Sequence, residues 1–233
     1  MTALGKVARA ADVYRREGWA GVGRRLRRLW NGLWGYRTYA LYVIPIRSEV
    51  ALWPRRLDDL IRKLRQRYEI EWSDAGLAGK LTEYTSRRAD VAPCDAGKWI
   101  ESGHRTIMIS DKGKVVGDCW LALDAFPLPA RSPALAGWLE ESGYAYSYMA
   151  FVEPRYRGLG VFPLLLAEQI EYARRHGRRG LMGAVLPRSK SSAASLETMG
   201  FVLRGRLHIF RILGREFTRL NIENSPEAVN SDD

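Results

Sequence analysis

A mixed α/β fold is what this sequence predicts, and three stretches predict it. His104 to Ser110 and Lys114 to Leu123 read as strands, and Asp111-Lys112-Gly113 between them has the turn chemistry of a β-hairpin. Tyr144 to Ala173 reads as strand, glycine-spaced basic loop and amphipathic helix in succession. Leu181 to Leu186 then forms a short apolar strand, which Pro187 ends.

Residues 3 to 17 are helix-compatible, GWAGVG at 18–23 interrupts them, and Arg24 to Trp34 resumes the pattern. There Leu26, Leu29, Trp30, Leu33 and Trp34 share one face, while Arg24, Arg25, Arg27 and Arg28 lie largely around the other. A basic helix with tryptophans suits an anionic membrane surface or an acidic acyl carrier protein. Docking of the same face on the protein's own core is the equal alternative. No recognition motif supports specific binding of nucleic acid.

Arg37 to Ile46 is expected to be a strand and to open the main domain. A helix over Arg55 to Arg67 follows from the spacing of Leu57, Leu60, Ile61, Leu64 and Tyr68. Residues 69–103 read least clearly, with short helices expected around Gly76–Arg88 and Cys94–Ser102. After the hairpin, FPLPARSP at 126–133 is a proline-punctuated loop before a helix near Ala134–Glu141.

Tyr144 to Val152 is aromatic and apolar enough for a strand, and Glu153-Pro154 stops it. From Val161 to Ala173, Phe162, Leu165, Leu166, Ile170 and Ala173 are spaced for a helix, with Pro163 tolerated in its first turn. RRHGRR at 174–179 ends that helix with cations, which favour its dipole; one of them reaching a phosphate is the other option. Ser189 to Met199 is the next helix, and Phe201 to Leu213 a strand or hairpin with strand character to Leu220. The expected organisation is a basic helical extension over 1–37, one domain over 38–221 and an acidic flexible tail over 222–233.

Composition narrows the class. The chain has 233 residues, 46% hydrophobic and 27% charged, which is globular rather than disordered. Its net charge is +11, and residues 1–37 carry nine cations against two anions, or +7 of that total. Cys94 and Cys119 are far apart and have no metal-ligand spacing, so no disulfide framework or metal site is expected and a reducing cytoplasm is. Neither a secretory leader nor a membrane-spanning run is expected.

The loop Arg155-Tyr156-Arg157-Gly158-Leu159-Gly160 carries the functional reading. Glycines let a backbone come close to a bound group, and the following helix turns its free amides and positive dipole end towards it. The loop lacks GxxxxGK[ST] and the third glycine of GxGxxG, which argues against a P-loop and a dinucleotide fold. A plain basic βα turn is the bland alternative.

Val152-x-Pro154-x-x-Arg157-Gly158-x-Gly160, entered from a strand and left into a Leu-rich helix, resembles motif A of the GCN5-related N-acetyltransferases. SKSSAASLETMGF at 189–201 resembles that family's second signature, in the same order and spacing, and the match covers about residues 104–213. The resemblance implies a mostly antiparallel central sheet flanked by helices, with a splayed strand pair at an acyl-CoA site. It assigns acyl-CoA binding to Phe151, Val152, Arg157, Gly158, Leu159, Gly160, Val161, Phe162 and Ser192, the loop amides holding the pyrophosphate. Filling Gly160 with valine is then expected to deny the pyrophosphate its space.

The match has departures. The family's R-x-x-G-x-G/A ends here at Phe162, Leu196 stands where many members carry a thiolate-protonating tyrosine, and Tyr148 stands where many carry a glutamate base. Attack by an amine needs a base within reach, and the candidates are Glu153, Tyr148, Tyr146, His208, Glu140 and Glu141. Ser192 or Ser195 is the candidate to protonate the leaving thiolate, while Cys119 lacks an identifiable histidine partner for covalent catalysis. The expected activity is therefore N-acetyl transfer from acetyl-CoA, without a metal, to a small-molecule amine such as an amino sugar or amino acid derivative. The alternatives are a long-chain N-acyltransferase using acyl-CoA or acyl carrier protein at the inner membrane face, and a non-catalytic acyl-CoA-binding module. A homodimer is left open.

Overall fold

A computed structural model describes residues 34–46, 55–73, 81, 83–84, 96–124, 132–213 and 215–222. The expected helices over 3–17 and 24–33, most of the helix around 76–88, and the acidic tail from 223 onward lie outside them. The elements are β1 (Trp34–Pro45), α1 (Arg55–Arg67), β2 (Glu69–Trp72), α2 (Ala96–Glu101), β3 (Arg105–Asp111), β4 (Lys114–Ala122), α3 (Pro133–Ser142) and β5 (Tyr144–Val152). A 3-10 turn over Pro154–Tyr156 leads to α4 (Val161–Arg175), β6 (Gly180–Val185), α5 (Lys190–Thr198), β7 (Val202–Ile212) and β8 (Arg215–Ile222). The strands form one mixed sheet in the order β2-β3-β4-β5-β6-β1-β7-β8.

The chain divides into a small unit, Met1–Thr38 with His208–Arg219, and a large one, Tyr39–Leu207 with Leu220–Asp233. Strands β1 and β7 each run from one into the other.

In the large unit the expected hairpin forms between β3 and β4, with Lys112 and Gly113 both at positive φ, as a two-residue turn of this hand requires. Helices α1 and α4 cover one sheet face. Ile61 and Leu64 from α1 and Val161, Leu164, Leu165 and Ile170 from α4 join Ile107, Ile109, Cys119 and Leu121 in a single core. One buried polar pair crosses that core: the Ser147 hydroxyl donates to Gln169 Oε1 (2.6 Å), and Gln169 Nε2 donates to the Trp120 carbonyl (3.0 Å). Strand β2 was not separable in the sequence; its alternate residues Ile70 and Trp72 pack against the core, and Trp72 stacks on Tyr172 of α4 at 4.3 Å.

Helix α4 ends as expected, with Gly177 at φ 70° after the His176 cap. The cations in its last turn and just beyond it have protein partners. Arg174 and Arg175 pair with Glu171, Arg178 bonds Asp124 at 2.8 Å, and Arg179 donates to the Glu141 carbonyl at 2.9 Å.

In the small unit, Trp34 opens a strand instead of closing a helix. Its tryptophan-leucine spacing fits a helical face, but Trp34–Thr38 lies extended, with the Tyr36 ring 5.0 Å from Phe210 and 6.0 Å from His208. That aromatic ladder is a long-range contact that local periodicity does not register.

Candidate active site

The site is organised by a break in strand pairing. Strands β5 and β6 run parallel and pair from Tyr144↔Gly180 to Ser147↔Gly183, and there the pairing stops. Each continues along its other neighbour, β5 against β4 as far as Val152 and β6 against β1 as far as Val185. Two parallel strands that part while still held on their outer sides leave a gap at their carboxyl ends. The loop after β5 and the helix after β6 open at that same end, where open α/β sheets bind ligands.

A bulge marks the start of the gap. Asp118 pairs with Phe151 and Trp120 with Tyr148, so Cys119 faces two residues, Met149 and Ala150. Met149 has φ 52°, a left-handed conformation that costs a non-glycine residue free energy and recurs at functional sites.

The loop beyond is anchored at three points. The Tyr156 hydroxyl donates to Asp111 Oδ2 at 3.1 Å, which also raises the phenol's pKa. Arg157 Nε donates to the Val152 carbonyl at 3.0 Å, with its guanidinium over the Phe151 ring. Gly160, at φ 85°, lies against Leu64 of α1. Gly158 is also at positive φ, but a Cβ there would meet nothing within 4 Å. The two glycines therefore have different reasons. Gly158 leaves open space above the loop, whereas a side chain at Gly160 would strike Leu64 Cδ1 at 2.7 Å, inside the core.

Gly160 caps α4 without a side-chain hydrogen bond. Among the described residues the amides of Gly158, Gly160, Val161 and Phe162 donate to no backbone carbonyl, while Leu164 N already closes on the Gly160 carbonyl. This leaves a short run of uncapped donors at the positive end of a 15-residue helix. Leu159 is exposed, and Phe162 is half-buried, packed on the core.

The catalytic candidates are distributed as follows. Glu153 ends β5 half-buried, its amide bonded to the Val116 carbonyl, and forms no ion pair with Arg155 or Arg157. Tyr146 and Tyr148 stack at 5.6 Å on the sheet face away from α4. Burial pushes the Tyr146 phenol far above its ordinary pKa, so it stays protonated. Tyr148 is buried and its hydroxyl contacts His104 Nδ1, with Trp99 and Trp120 around the pair. Ser192 lies in the first turn of α5. His208 belongs to the small unit, where its Nδ1 lies 2.7 Å from the Tyr36 hydroxyl and 3.4 Å from that of Thr38. Glu140 and Glu141 lie at the end of α3, and Ser195 sits mid-way along α5. Cys119 is fully buried, hydrogen-bonded to Ser147, with its thiol pKa pushed up to about 12 by burial, and it stays a neutral thiol. Leu196 is core.

The sequence did not reveal Leu64 as the floor beneath Gly160, nor the Met149 bulge, nor His104 as the partner of Tyr148. All three are relations between distant strands and helices, and the only local signal was that Tyr146 and Tyr148 alternate on one face.

No family model and no curated protein matches this chain. Among solved structures it is similar to an acetyltransferase from the GNAT family of Colwellia psychrerythraea, with 11% identity over 81% of this chain and 61% of that one, at a TM-score of 0.53. A GCN5-related N-acetyltransferase-like protein from Streptococcus suis shares 15% identity over 84% of this chain and 68% of the other, TM-score 0.51. A GCN5-related N-acetyltransferase from Sphaerobacter thermophilus shares 15% over 88% and 57%, also at 0.51. In the latter case the chain spans little more than half of the solved structure. The chain has the GCN5-related N-acetyltransferase fold, as the resemblance implied.

Proposed function

We propose that this protein transfers an acyl group, acetyl in the leading form, from coenzyme A to the amine of a small molecule, by direct attack in a ternary complex. The observation that carries the reading is the parting of β5 from β6 at the end where Gly158 to Phe162 present uncapped amides. The amides of Gly158, Gly160, Val161 and Phe162 receive the pyrophosphate, Arg157 and Leu159 flank it, and Phe151 and Val152 border the gap that takes the pantetheine arm. Acyl-CoA supplies the thioester carbonyl. Glu153, at the mouth of the gap, accepts the amine proton, directly or through water. Tyr148 is the second candidate for that role, and Tyr146, held protonated, lines the site. Ser192, at the first turn of α5, donates to the leaving sulfur. His208 remains an unassigned candidate. An amino sugar or amino acid derivative is the acceptor class we favour.

One observation favours a second reading. Leu196 is buried in the core, so no phenol stands at the place where the resemblance expects one; this suits a non-catalytic acyl-CoA-binding module. Calorimetry with acetyl-CoA and with a long-chain acyl-CoA, followed by a thiol-release assay over a panel of amines, separates the readings. Binding with amine-dependent thiol release supports the transferase. Binding without release for any amine favours the module, and binding of neither donor refutes both.

A further inference from the structure

Of the ten exposed large apolar side chains among the described residues, six belong to the small unit: Trp34, Tyr36, Phe210, Ile212, Leu213 and Phe217. Such a concentration is uncommon on a surface that meets only water. Tyr36, His208 and Phe210 stack along one face. The apex of the β7–β8 hairpin is the sharper anomaly. Leu213, 68% exposed, sits there at φ 50°, a conformation that asparagine or glycine adopts more easily than leucine. The residue is unfavourable for the turn and unfavourable for water. A local rule broken twice at one position points to a use.

The charges around this tip are mostly cationic. Among the described residues Arg37, Arg211, Arg215 and Arg219 stand against Glu216, which pairs with Arg211. Among the described residues Arg37, Arg215 and Arg219 form no ion pair. Aromatic rings and arginine stems below an aliphatic tip match the layering of a bilayer surface, in which phosphates lie outside the acyl chains. Single-stranded nucleic acid also stacks on rings beside cations, but Ile212 and Leu213 offer it nothing. No helix among the described residues is long and apolar enough to cross a membrane.

We infer that the β7–β8 hairpin docks on an anionic lipid surface, with Leu213 dipping below the headgroups and Arg215 and Arg219 meeting the phosphates. This does not depend on the acyl-transfer reading. The test is co-sedimentation of the full chain with vesicles of phosphatidylcholine, alone or mixed equally with phosphatidylglycerol. The wild type binds the mixed vesicles and not the neutral ones. Leu213→Asn, which suits the turn and so keeps the fold, weakens binding about tenfold, roughly the worth of burying one leucine. The pair Arg215→Glu and Arg219→Glu abolishes it. Equal binding to neutral vesicles, no binding by the wild type, or unchanged binding by both variants would overturn the inference. So would a wild-type dimer that ignores vesicles and that Leu213→Asn dissociates, since the face would then belong to a second copy. Capture of a single-stranded oligonucleotide in place of vesicles would overturn it as well.

Discussion

Gly160 offers a sharp test, because the structure gives its neighbour and the distance. A Cβ at Gly160 meets Leu64 Cδ1 at 2.7 Å, in a core where Leu64 is 5% exposed and cannot swing aside freely. Alanine at φ 85° costs about 1–2 kcal/mol for the left-handed backbone, and the overlap adds roughly 1–3 kcal/mol. Gly160→Ala should therefore destabilise by about 2–5 kcal/mol. Leu64→Ala alone costs on the order of 2–5 kcal/mol through its cavity. In the double variant the overlap is gone, so the pair should cost about 1–3 kcal/mol less than the sum of the singles. Urea unfolding of the four proteins, followed by tryptophan fluorescence, measures each term. Strict additivity would refute the packing of α1 against this loop. Gly158→Ala is the control: with open space above it, only the backbone cost of about 1–2 kcal/mol applies. Its coenzyme A affinity should nevertheless fall about tenfold, because the new methyl occupies the approach to the loop amides. Unchanged affinity would remove the loop as the pyrophosphate site. Gly160→Val, which looked like the natural block to the ligand, is instead a folding lesion and cannot report on binding.

Other outcomes follow from the same geometry. Glu153→Gln should lower kcat by roughly a hundredfold and erase the acid limb of the pH–rate profile, as loss of a general base does; a profile that keeps its shape excludes Glu153. Gln169→Leu removes the 2.6 Å acceptor of the Ser147 hydroxyl and the side-chain amide donor to the Trp120 carbonyl in the core, and denaturant midpoints should report a loss of about 2–4 kcal/mol. Cys119 gives a pH effect of known sign. Its folded pKa is raised from 9.0 to about 12, so its contribution is complete below pH 9 and is lost as pH rises through the window to 12. Between these two values the slope approaches about 1.4 kcal/mol per pH unit, which Cys119→Ala should remove without abolishing activity. Inactivity of a folded Cys119→Ala protein would instead make the thiol a nucleophile.

Where a signal is local, the sequence was readable. The turn at Asp111-Lys112-Gly113, the apolar stripe of α1 and the passage from β5 through two glycines into α4 are each decided by residues within one turn or strand of one another. The bounds of β5, Tyr144–Val152, were read without shift. Four-residue β2 was not, because one alternation of EIEW is too short to distinguish a strand from a helix edge. Trp34 was assigned to a helix for a related reason, since a Leu-Trp stripe has the same spacing whether or not a distant Phe210 is waiting. The site divides likewise. The loop proposed to hold the anion is a contiguous motif, but the register shift opposite Cys119 and the contact of His104 with Tyr148 exist only once β3, β4 and β5 have been aligned. Leu196 and Tyr148 stand where the resemblance expects an acid and a base, so the chemistry was the part least legible.

The half-finished seam between β5 and β6 has a mechanical meaning. Four residue pairs, Tyr144↔Gly180 to Ser147↔Gly183, are all that stitch these two strands together. A ligand with amides of its own, lying in the gap, would complete the stitching as an extra strand and stiffen the sheet along that line. Amide exchange should therefore slow on donor binding beyond Ser147 and Gly183, in backbone that the ligand alone can pair.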